Sequence, residues 1–296
     1  MKGLLTYSFV LVLLVSAGRV GQCAEPSSSL FLPPDFSSAA LALNRLAQPT
    51  DGNTFAIHRG AASLPTMTNI VYTTIPNAPA SGFPLLSMKL QVLDLPLMSG
   101  SSVPQYQWSM FYAYLNGAWA QNILAANDGT PLGTGPQLEV VISGDVAKPI
   151  KGACEQNPSW SSQPVLWCFT SYPWTVGHVF HFFTALVQSS SKTERWLAYM
   201  VDETNKTTQD IAEWELPVSY GLLNAYPNGV VDYYGAMSKC DDEPYAKSQL
   251  NAIYGFDQGI DYDGAITSSS QNECKHDNKI RFSPNTAIIW SGLSKQ

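Results

Sequence analysis

Two runs of alternating residues meet at Asn116-Gly117, and this pattern restricts the fold of the chain more than any other. The run "WSMFYAYL" precedes the pair and "AWAQNIL" follows it. An Asn-Gly pair between alternating runs favours a β-hairpin with a type I′ turn, because both turn residues then need positive φ. The period of two puts alternate side chains on opposite faces. One face holds Trp108, Met110, Tyr112 and Tyr114, and the other holds Ser109, Phe111, Ala113 and Leu115. The second face is small and apolar, so we expect it to pack against the other sheet in the core.

Ten segments of the chain have the composition of β-strands, and Gly, Pro and Ser separate them. Helical periodicity is scarce, with short candidates at 37–48 and 242–255. The spacing favours one large antiparallel β-sandwich or jelly roll of the concanavalin-like type. The predicted strands are 68–75, 87–95, 105–115, 118–124, 137–144, 177–188, 194–203, 209–216, 229–237 and 287–292.

The N-terminus has the pattern of a secretory signal peptide. Lys2 precedes an apolar run that is too short to span a bilayer comfortably, and small or polar residues follow it. Cleavage after Cys23 fits this pattern, and cleavage after Gly18 is an alternative. We therefore expect a signal peptide over 1–23, an irregular N-terminal arm over 24–65 and a single β-sandwich domain over 66–296, secreted from the cell.

Four cysteines remain after cleavage at Cys23, and an even number in an oxidising compartment suggests two disulfides. Three connectivities are open, and the pairing of sequence neighbours is our prediction, Cys154 with Cys168 and Cys240 with Cys274. Asn205 begins the sequon "NKT", which predicts an N-glycosylated surface loop if the host is eukaryotic.

The charge of the chain narrows the choice of partners. The formal net charge is −7, so we expect no nucleic acid partner, and no second apolar segment is long enough to cross a membrane. The expected partner is an extracellular glycan or a component of a cell surface or cell wall. No cofactor is predicted. Calcium binding by acidic residues such as Asp257, Asp261 and Asp263 is an alternative, although "DQGIDYDG" lacks the order of an EF-hand loop.

The middle of the chain resembles a family of secreted domains. The segments that carry the resemblance are "WTVGHVFHF", a strand ending in Asp202, and "IAEWELP", with "YAYLNGAWAQNIL" before them. The family combines a Trp-x-x-Gly entry with an Ile-Ala-x-Trp-x-x-Pro strand, and its function is unassigned. Over roughly 68–237 the resemblance implies a concanavalin-like jelly roll that faces carbohydrate, and it implies no catalytic residues.

The aromatic row around Tyr112 and Tyr114 has two interpretations. Aromatic rings with polar tips stack on sugars, but aromatic residues at this density also form ordinary cores. We interpret the chain as a secreted, lectin-like protein without catalysis. Its predicted ligand-binding residues are Tyr112, Tyr114, Gln121, Arg195 and Asp232.

An enzyme is the alternative in which two glutamates act on a polysaccharide. Glu213 and Glu215 share one face of a predicted strand, at a separation that glycoside hydrolases use for their acid and base. A glycoside hydrolase or polysaccharide lyase would use them as its catalytic pair. The motifs of concanavalin-like glycosidases and lyases are absent, and a solvated sheet face explains the same alternation. A structural protein of the extracellular matrix or cell wall is a further alternative.

His178 and His181 are three residues apart in an apolar, aromatic segment. On a strand they face opposite sides and cannot bind one metal ion together. No histidine lies in a motif that would couple it to a serine or cysteine nucleophile. The segment is therefore interpreted as a strand that starts after the turn at Gly177.

Overall fold

The structure is a computed structural model, and it describes residues 67–95, 105–130, 133–143, 147–157, 164–235, 237–271 and 274–295. The predicted signal peptide, the N-terminal arm and the helix candidate at 37–48 lie outside these residues. The described residues include three short 3-10 helices, at Val218–Tyr220, Cys240–Asp242 and Leu293–Lys295. The second helix candidate, 242–255, is wrong, since Ala246–Asn251 and Tyr254–Asp257 are strands. No helix among the described residues is long and apolar enough to cross a membrane.

Two large antiparallel sheets form the domain, which confirms the predicted all-β sandwich. The eight-stranded sheet has the spatial order β16-β1-β12-β3-β4-β5-β8-β7. Its strands are β1 (Met67–Thr74), β3 (Tyr106–Ala113), β4 (Trp119–Thr130), β5 (Gly133–Ser143), β7 (Ala153–Asn157), β8 (Val165–Ser171), β12 (Asn228–Tyr233) and β16 (Ala265–Gln271).

The ten-stranded sheet has the order β17-β18-β13-β2-β9-β10-β11-β6, and the hairpin β14–β15 extends from β2. Its strands are β2 (Leu85–Asp94), β6 (Lys148–Lys151), β9 (Val179–Ser189), β10 (Thr193–Asp202), β11 (Thr207–Pro217), β13 (Ala246–Asn251), β14 (Tyr254–Asp257), β15 (Ile260–Tyr262), β17 (Lys279–Phe282) and β18 (Thr286–Ser291). All ten segments predicted as strands are strands in one sheet or the other.

The faces of β3 are the reverse of the expected arrangement. The row of Trp108, Tyr112 and Tyr114 packs in the core with no exposed surface, and the ring of Tyr114 meets that of Trp196 from the other sheet at 5.2 Å. Large aromatic side chains bury far more apolar area than serine or alanine, so the aromatic face gains more from packing between the sheets. Gln107 and Ser109 therefore lie on the outer face of the eight-stranded sheet.

The predicted hairpin at Asn116-Gly117 forms, with a different turn. The Gly117 amide donates to the carbonyl of Tyr114, so the turn is centred one residue earlier, on Leu115 and Asn116. Gly117 has φ of 98°, while Asn116 is not among the residues of positive φ, which excludes the type I′ turn. A turn followed by a left-handed glycine is the usual longer hairpin connection.

Two disulfides join neighbouring segments as predicted. Cys154 on β7 pairs with Cys168 directly opposite on β8, and Cys240 pairs with Cys274. The first bond fastens the edge strand β7 to its neighbour, and the second connects two loops. Disulfides of this kind are typical of oxidising compartments.

Three polar groups link the two sheets inside the core. Tyr112 donates a hydrogen bond to Oδ1 of Asn122 at 3.0 Å and accepts one from Thr184 at 2.8 Å. Asn122 also donates to the Thr184 hydroxyl at 2.9 Å. All three residues are fully buried, so each group depends on the other two.

We expect Tyr112→Phe to lower the free energy of unfolding by about 1 to 3 kcal/mol, because the substitution leaves buried polar groups of Asn122 and Thr184 short of a partner. Urea denaturation of both proteins measures this change. Tyr199→Phe is the matched control, since Tyr199 is half-buried on the outer face of the ten-stranded sheet. Equal losses of stability in the two variants would contradict the role of the buried network.

Candidate functional site

A row of polar side chains crosses the outer face of the eight-stranded sheet. Alternation along each strand directs these side chains away from the core. All of them are at most 8% exposed. They come from four strands and are Gln107 and Ser109 on β3, Gln121 on β4, Glu139 on β5 and Asp232 on β12.

The central part of this row is held by side-chain hydrogen bonds. Nε2 of Gln121 donates to Oγ of Ser109 at 2.6 Å, and the indole Nε1 of Trp167 donates to Oε2 of Glu139 at 2.8 Å. A small apolar cluster packs on the same face, formed by Ile123, Ala125, Val141, Val165, Trp167 and Phe169. The outer face of this sheet is therefore a second packed layer, separate from the main core.

Asp232 lies at one end of the row, and we call it and its neighbours Thr68, Gln107 and Tyr234 the Asp232 corner. Gln107 is directly opposite Asp232 on β3, and Thr68 is directly opposite on β1. The half-buried Tyr234 donates its hydroxyl to Oε1 of Gln107 and lies 3.4 Å from Oδ2 of Asp232. Oδ1 of Asp232 has no hydrogen-bond partner among the described residues.

The Asp232 carboxyl has an unusual affinity for its proton. Burial raises its pKa to about 7, and hydrogen bonds from Thr68 and Tyr234 act in the opposite direction. A carboxyl of this kind exchanges its proton near neutral pH, as general acids and bases do. A raised pKa, an oxygen without a partner among the described residues and an adjacent carboxamide therefore occur together on the outer face of the eight-stranded sheet.

A second polar cluster surrounds His181 on the outer face of the ten-stranded sheet. Its Nε2 is 3.1 Å from the Ser87 hydroxyl and 3.0 Å from the Tyr254 hydroxyl, and its Nδ1 is 3.2 Å from Oε1 of Glu203. Glu203 also pairs with Lys89 at 2.8 Å. The order serine, histidine, carboxylate matches that of a catalytic triad, which no sequence motif indicates.

This cluster does not have the access that a triad needs. Ser87 is fully buried in a strand that is paired on both sides, with Phe183 and with Tyr254. Burial lowers the pKa of His181 to about 4, and the nearby Lys89 adds to that effect, so the imidazole is a weak base. The contacts join β2, β9, β14 and the turn after β10, which is a structural role.

The residues predicted to bind a ligand lie in three separate places. Tyr112 and Tyr114 are inside the core, so they are not the exposed pair that a sugar would need. Gln121 and Asp232 are on the outer face of the eight-stranded sheet. Arg195 is on the outer face of the other sheet, where it forms an ion pair with Glu213.

The two glutamates of the glycosidase hypothesis are on the outer face of β11, as the alternation predicts. Ala212, Trp214 and Leu216 face the core as expected, and Ile211 is buried too, because a bulge in the pairing of β10 with β11 shifts the register there. The ion pair with Arg195 occupies Glu213, and Arg195 lies directly opposite Glu215. The geometry is that of a charged sheet face.

The predicted glycosylation site, the two histidines and the acidic residues considered for calcium lie apart from the polar row. Asn205 is exposed on the turn between β10 and β11, and its Nδ2 donates to Asp202 at 3.0 Å. His178 lies before β9 and contacts Asp202, whereas His181 contacts Glu203, so the two histidines are at separate sites. Among the described residues, no three His, Cys, Asp or Glu side chains gather where they could hold a metal ion. Asp257 and Asp261 belong to the β14–β15 hairpin.

Sequence reasoning missed Gln107, Ser109 and Glu139 as members of a site. The alternation of β3 contains Gln107 and Ser109, but their face was expected to pack against the other sheet. Glu139 is the one charged residue in the run "QLEVVIS", and a carboxylate in an apolar strand was the available signal.

No protein-family model and no curated protein sequence matches this chain. Two solved structures of scytalidoglutamic peptidase, each with a transition-state analogue and one of these peptide-based, are similar to it. Each match has 12% identity and a TM-score of 0.42, and covers 76% of this chain and 98% of the peptidase.

The prediction of a lectin-like protein without catalysis is wrong. The aromatic row on which it depended is packed between the sheets, so that row offers no surface for a sugar. The candidate site is therefore the Asp232 corner, where the groups present are those of acid–base chemistry.

We expect Asp232→Asn to remove a pH dependence of stability. The folded pKa of about 7 lies above the ordinary value of 3.8, so the stabilising contribution is complete below about pH 4 and is lost as the pH rises through 7. Asparagine stays neutral and lacks this loss. Between pH 4 and 7.5 the wild type should lose on the order of a few kcal/mol more than the variant.

Urea denaturation at pH 4, 5.5 and 7.5 makes this measurement. Asp261→Asn is the matched control, because Asp261 is exposed on the β14–β15 hairpin. Parallel stability curves for the wild type and Asp232→Asn would show that Asp232 titrates normally.

Proposed function

We propose that this protein is a hydrolase of amide or ester bonds that uses Asp232 as its general base and Gln107 as the donor to the substrate carbonyl. The observation that carries the proposal is the Asp232 corner. A buried carboxyl, whose Oδ1 has no hydrogen-bond partner in the described part of the chain, lies directly across the strand pair from a carboxamide. Residues directly opposite in an antiparallel pair have Cβ atoms about 5 Å apart, so the carboxyl and the carboxamide are close enough to act on one carbonyl group.

The reaction follows from the two groups. Ionised Asp232 removes a proton from the water as the water oxygen attacks the carbonyl carbon. The Nε2 group of Gln107 donates a hydrogen bond to the carbonyl oxygen as negative charge develops on it. Asp232 then returns the proton to the leaving nitrogen or oxygen, the bond from that atom to the carbonyl carbon breaks, and a carboxylic acid is released with an amine or an alcohol.

Tyr234 fixes the orientation that this chemistry needs. Its hydroxyl donates to Oε1 of Gln107, so the carboxamide oxygen is the acceptor in this contact and the Nε2 end is the donor. The same hydroxyl is near Oδ2 of Asp232, which leaves Oδ1 as the oxygen for the water. Tyr234 is therefore a positioning residue.

Glu139 is too distant to be the acid partner of Asp232. The two strands are separated by β3 and β4, and three strand spacings of nearly 5 Å give roughly 14 Å. Paired carboxyls that share a proton are in direct contact. Glu139, Gln121 and Ser109 instead continue the polar row along the sheet, where they are at most 4% exposed.

We expect Asp232→Asn to lower the hydrolysis rate by at least about a hundredfold, because the neutral amide cannot accept the proton of water. Incubation with a mixed peptide library and an ester library, followed by mass spectrometry of the products, measures cleavage. Glu215→Gln on the other sheet is the matched control and should keep the wild-type rate. For the wild type, kcat/KM should rise with pH and level off above about 7.

Two results would contradict the proposal. One is cleavage by Asp232→Asn at the wild-type rate, and the other is an absence of hydrolysis of both libraries by folded wild-type protein between pH 3 and 9. A kcat/KM that falls as the pH rises through 7 would instead assign Asp232 the role of a general acid.

We infer that the protein works outside the cell and is N-glycosylated at Asn205. The two disulfides and the exposed position of the sequon support this. Expression in a eukaryotic secretory host should yield a protein in the medium that loses mass on treatment with an N-glycosidase. The Asn205→Gln variant should show no such loss, and a loss in that variant would place the glycan elsewhere.

A further inference from the structure

Three cations surround the indole of Trp290 on the ten-stranded sheet, and we call this group the Trp290 surface. The distance to the centroid of the ring is 5.5 Å for Nζ of Lys247, 5.9 Å for Nζ of Lys279 and 5.9 Å for Cζ of Arg281. Lys247 on β13 and Lys279 on β17 are both directly opposite Trp290, which is on the strand between them. The pairing register therefore creates the cluster.

The cluster concentrates positive charge on an acidic protein. The whole chain has 16 basic and 23 acidic residues. Within the described part of the chain, every salt bridge involves other residues, so no carboxylate lies within 4 Å of these three cations. Cation–π contacts offset only part of the mutual repulsion, at about 0.5 to 1 kcal/mol each for exposed groups. A bound anion would offset the rest.

The edge of the sheet next to this cluster ends at β17 in the described part of the chain. β17 is the outermost strand, and no other described strand pairs with its outer side. Lys279 and Arg281 are exposed and two residues apart, so their side chains leave the strand on the same face. An open edge of this kind can accept an extended peptide as one more strand.

We propose that β17 and the Trp290 surface bind an extended acidic peptide, which adds to the sheet as a further strand with carboxylates at alternate positions. The period of two gives this spacing, since the residues opposite Lys279 and Arg281 on an added antiparallel strand are themselves two apart. Hydrogen bonds between the peptide backbone and the edge of β17 supply affinity. The positive charges of Lys279 and Arg281 select peptides that have carboxylates at the matching positions. The inference is independent of the proposed hydrolysis, because it concerns the other sheet.

Fluorescence anisotropy with labelled heptapeptides tests the proposal. One peptide alternates threonine and glutamate, with three glutamates, and its isomer has the same three glutamates in succession. The wild-type protein should bind the alternating peptide about tenfold more tightly than the isomer, a difference of about 1.4 kcal/mol. The double variant Lys279→Gln with Arg281→Gln should bind the alternating peptide about tenfold or more weakly than the wild-type protein does.

The matched control is Lys192→Gln with Lys206→Gln, which removes the same charge from two exposed turn positions. Its affinity should stay within about twofold of the wild type, since long-range electrostatics is screened by salt. Equal affinity for the two peptides, or equal losses in the two double variants, would reduce the effect to net charge and overturn the proposal. An absence of peptide binding would also overturn it, and the cations would then serve only to prevent edge-to-edge association.

Self-association is measured in the same samples by size-exclusion chromatography. A dimer that the Lys279→Gln and Arg281→Gln double variant abolishes, without peptide binding by the monomer, would make a second copy the occupant of the edge. That result would also overturn the proposal.

Discussion

The packing of the β3 aromatic row against the opposite sheet determines which side chains lie on the outer face of the eight-stranded sheet. Trp108, Tyr112 and Tyr114 are fully buried, and Tyr114 meets Trp196 edge to face. Because side chains alternate along a strand, this burial directs Gln107 and Ser109 to the outer face. The pairing of β3 with β4 and β12 then brings Gln121 and Asp232 onto the same face.

Much of the fold follows from local pattern. Alternation in β11 identifies Ala212, Trp214 and Leu216 as core residues, and ten of the strands are recognisable as short β-type segments between turn residues. β8 was missed because it has no alternation: its first five residues are all buried, so "VLWCF" is a continuous apolar run within a long irregular segment. Alternation of polar and apolar residues identifies a strand that has one face exposed to solvent. It does not identify a strand that is buried on both faces.

The site was less accessible to sequence reasoning than the fold. Both faces of β3 contain apolar residues, so the pattern defines two faces without saying which one is inside; the outcome depends on the area that each buries. The sequence pattern suggests Asp232 and Gln121 as ligand-binding residues of a lectin. It does not suggest Gln107, which lies opposite Asp232. Its proximity to Gln107 depends on the register of β12 with β3, which joins residues 125 positions apart. The triad-like order at His181 likewise arises from pairings between distant strands.

The opposing environments on the two sheets explain why only one of the polar clusters is a candidate for chemistry. At His181, burial weakens the base and closes off the serine. At Asp232, burial strengthens the base and one oxygen has no described partner. The same physical effect, the loss of hydration around an ionisable group, therefore has opposite consequences for an imidazole and a carboxyl.

Among the residues that the structure describes, two other buried carboxyls behave as Asp232 does. Burial also raises the pKa of Glu194 and of Glu243 to about 7. His181 acts in the opposite sense, because the unfolded chain gains a proton at a higher pH than the folded one does. Among the described groups, these three carboxyls outnumber His181, so a fall in pH from about 7 to about 5 favours the native state. At lower pH the balance changes, because the pKa values of Asp202, Glu203 and Asp242 are lowered in the folded chain. The free energy of unfolding of such a protein rises when it passes from a neutral compartment into mildly acidic surroundings. Protons then stabilise the folded chain as a bound ligand does, because the folded state binds more of them than the unfolded state.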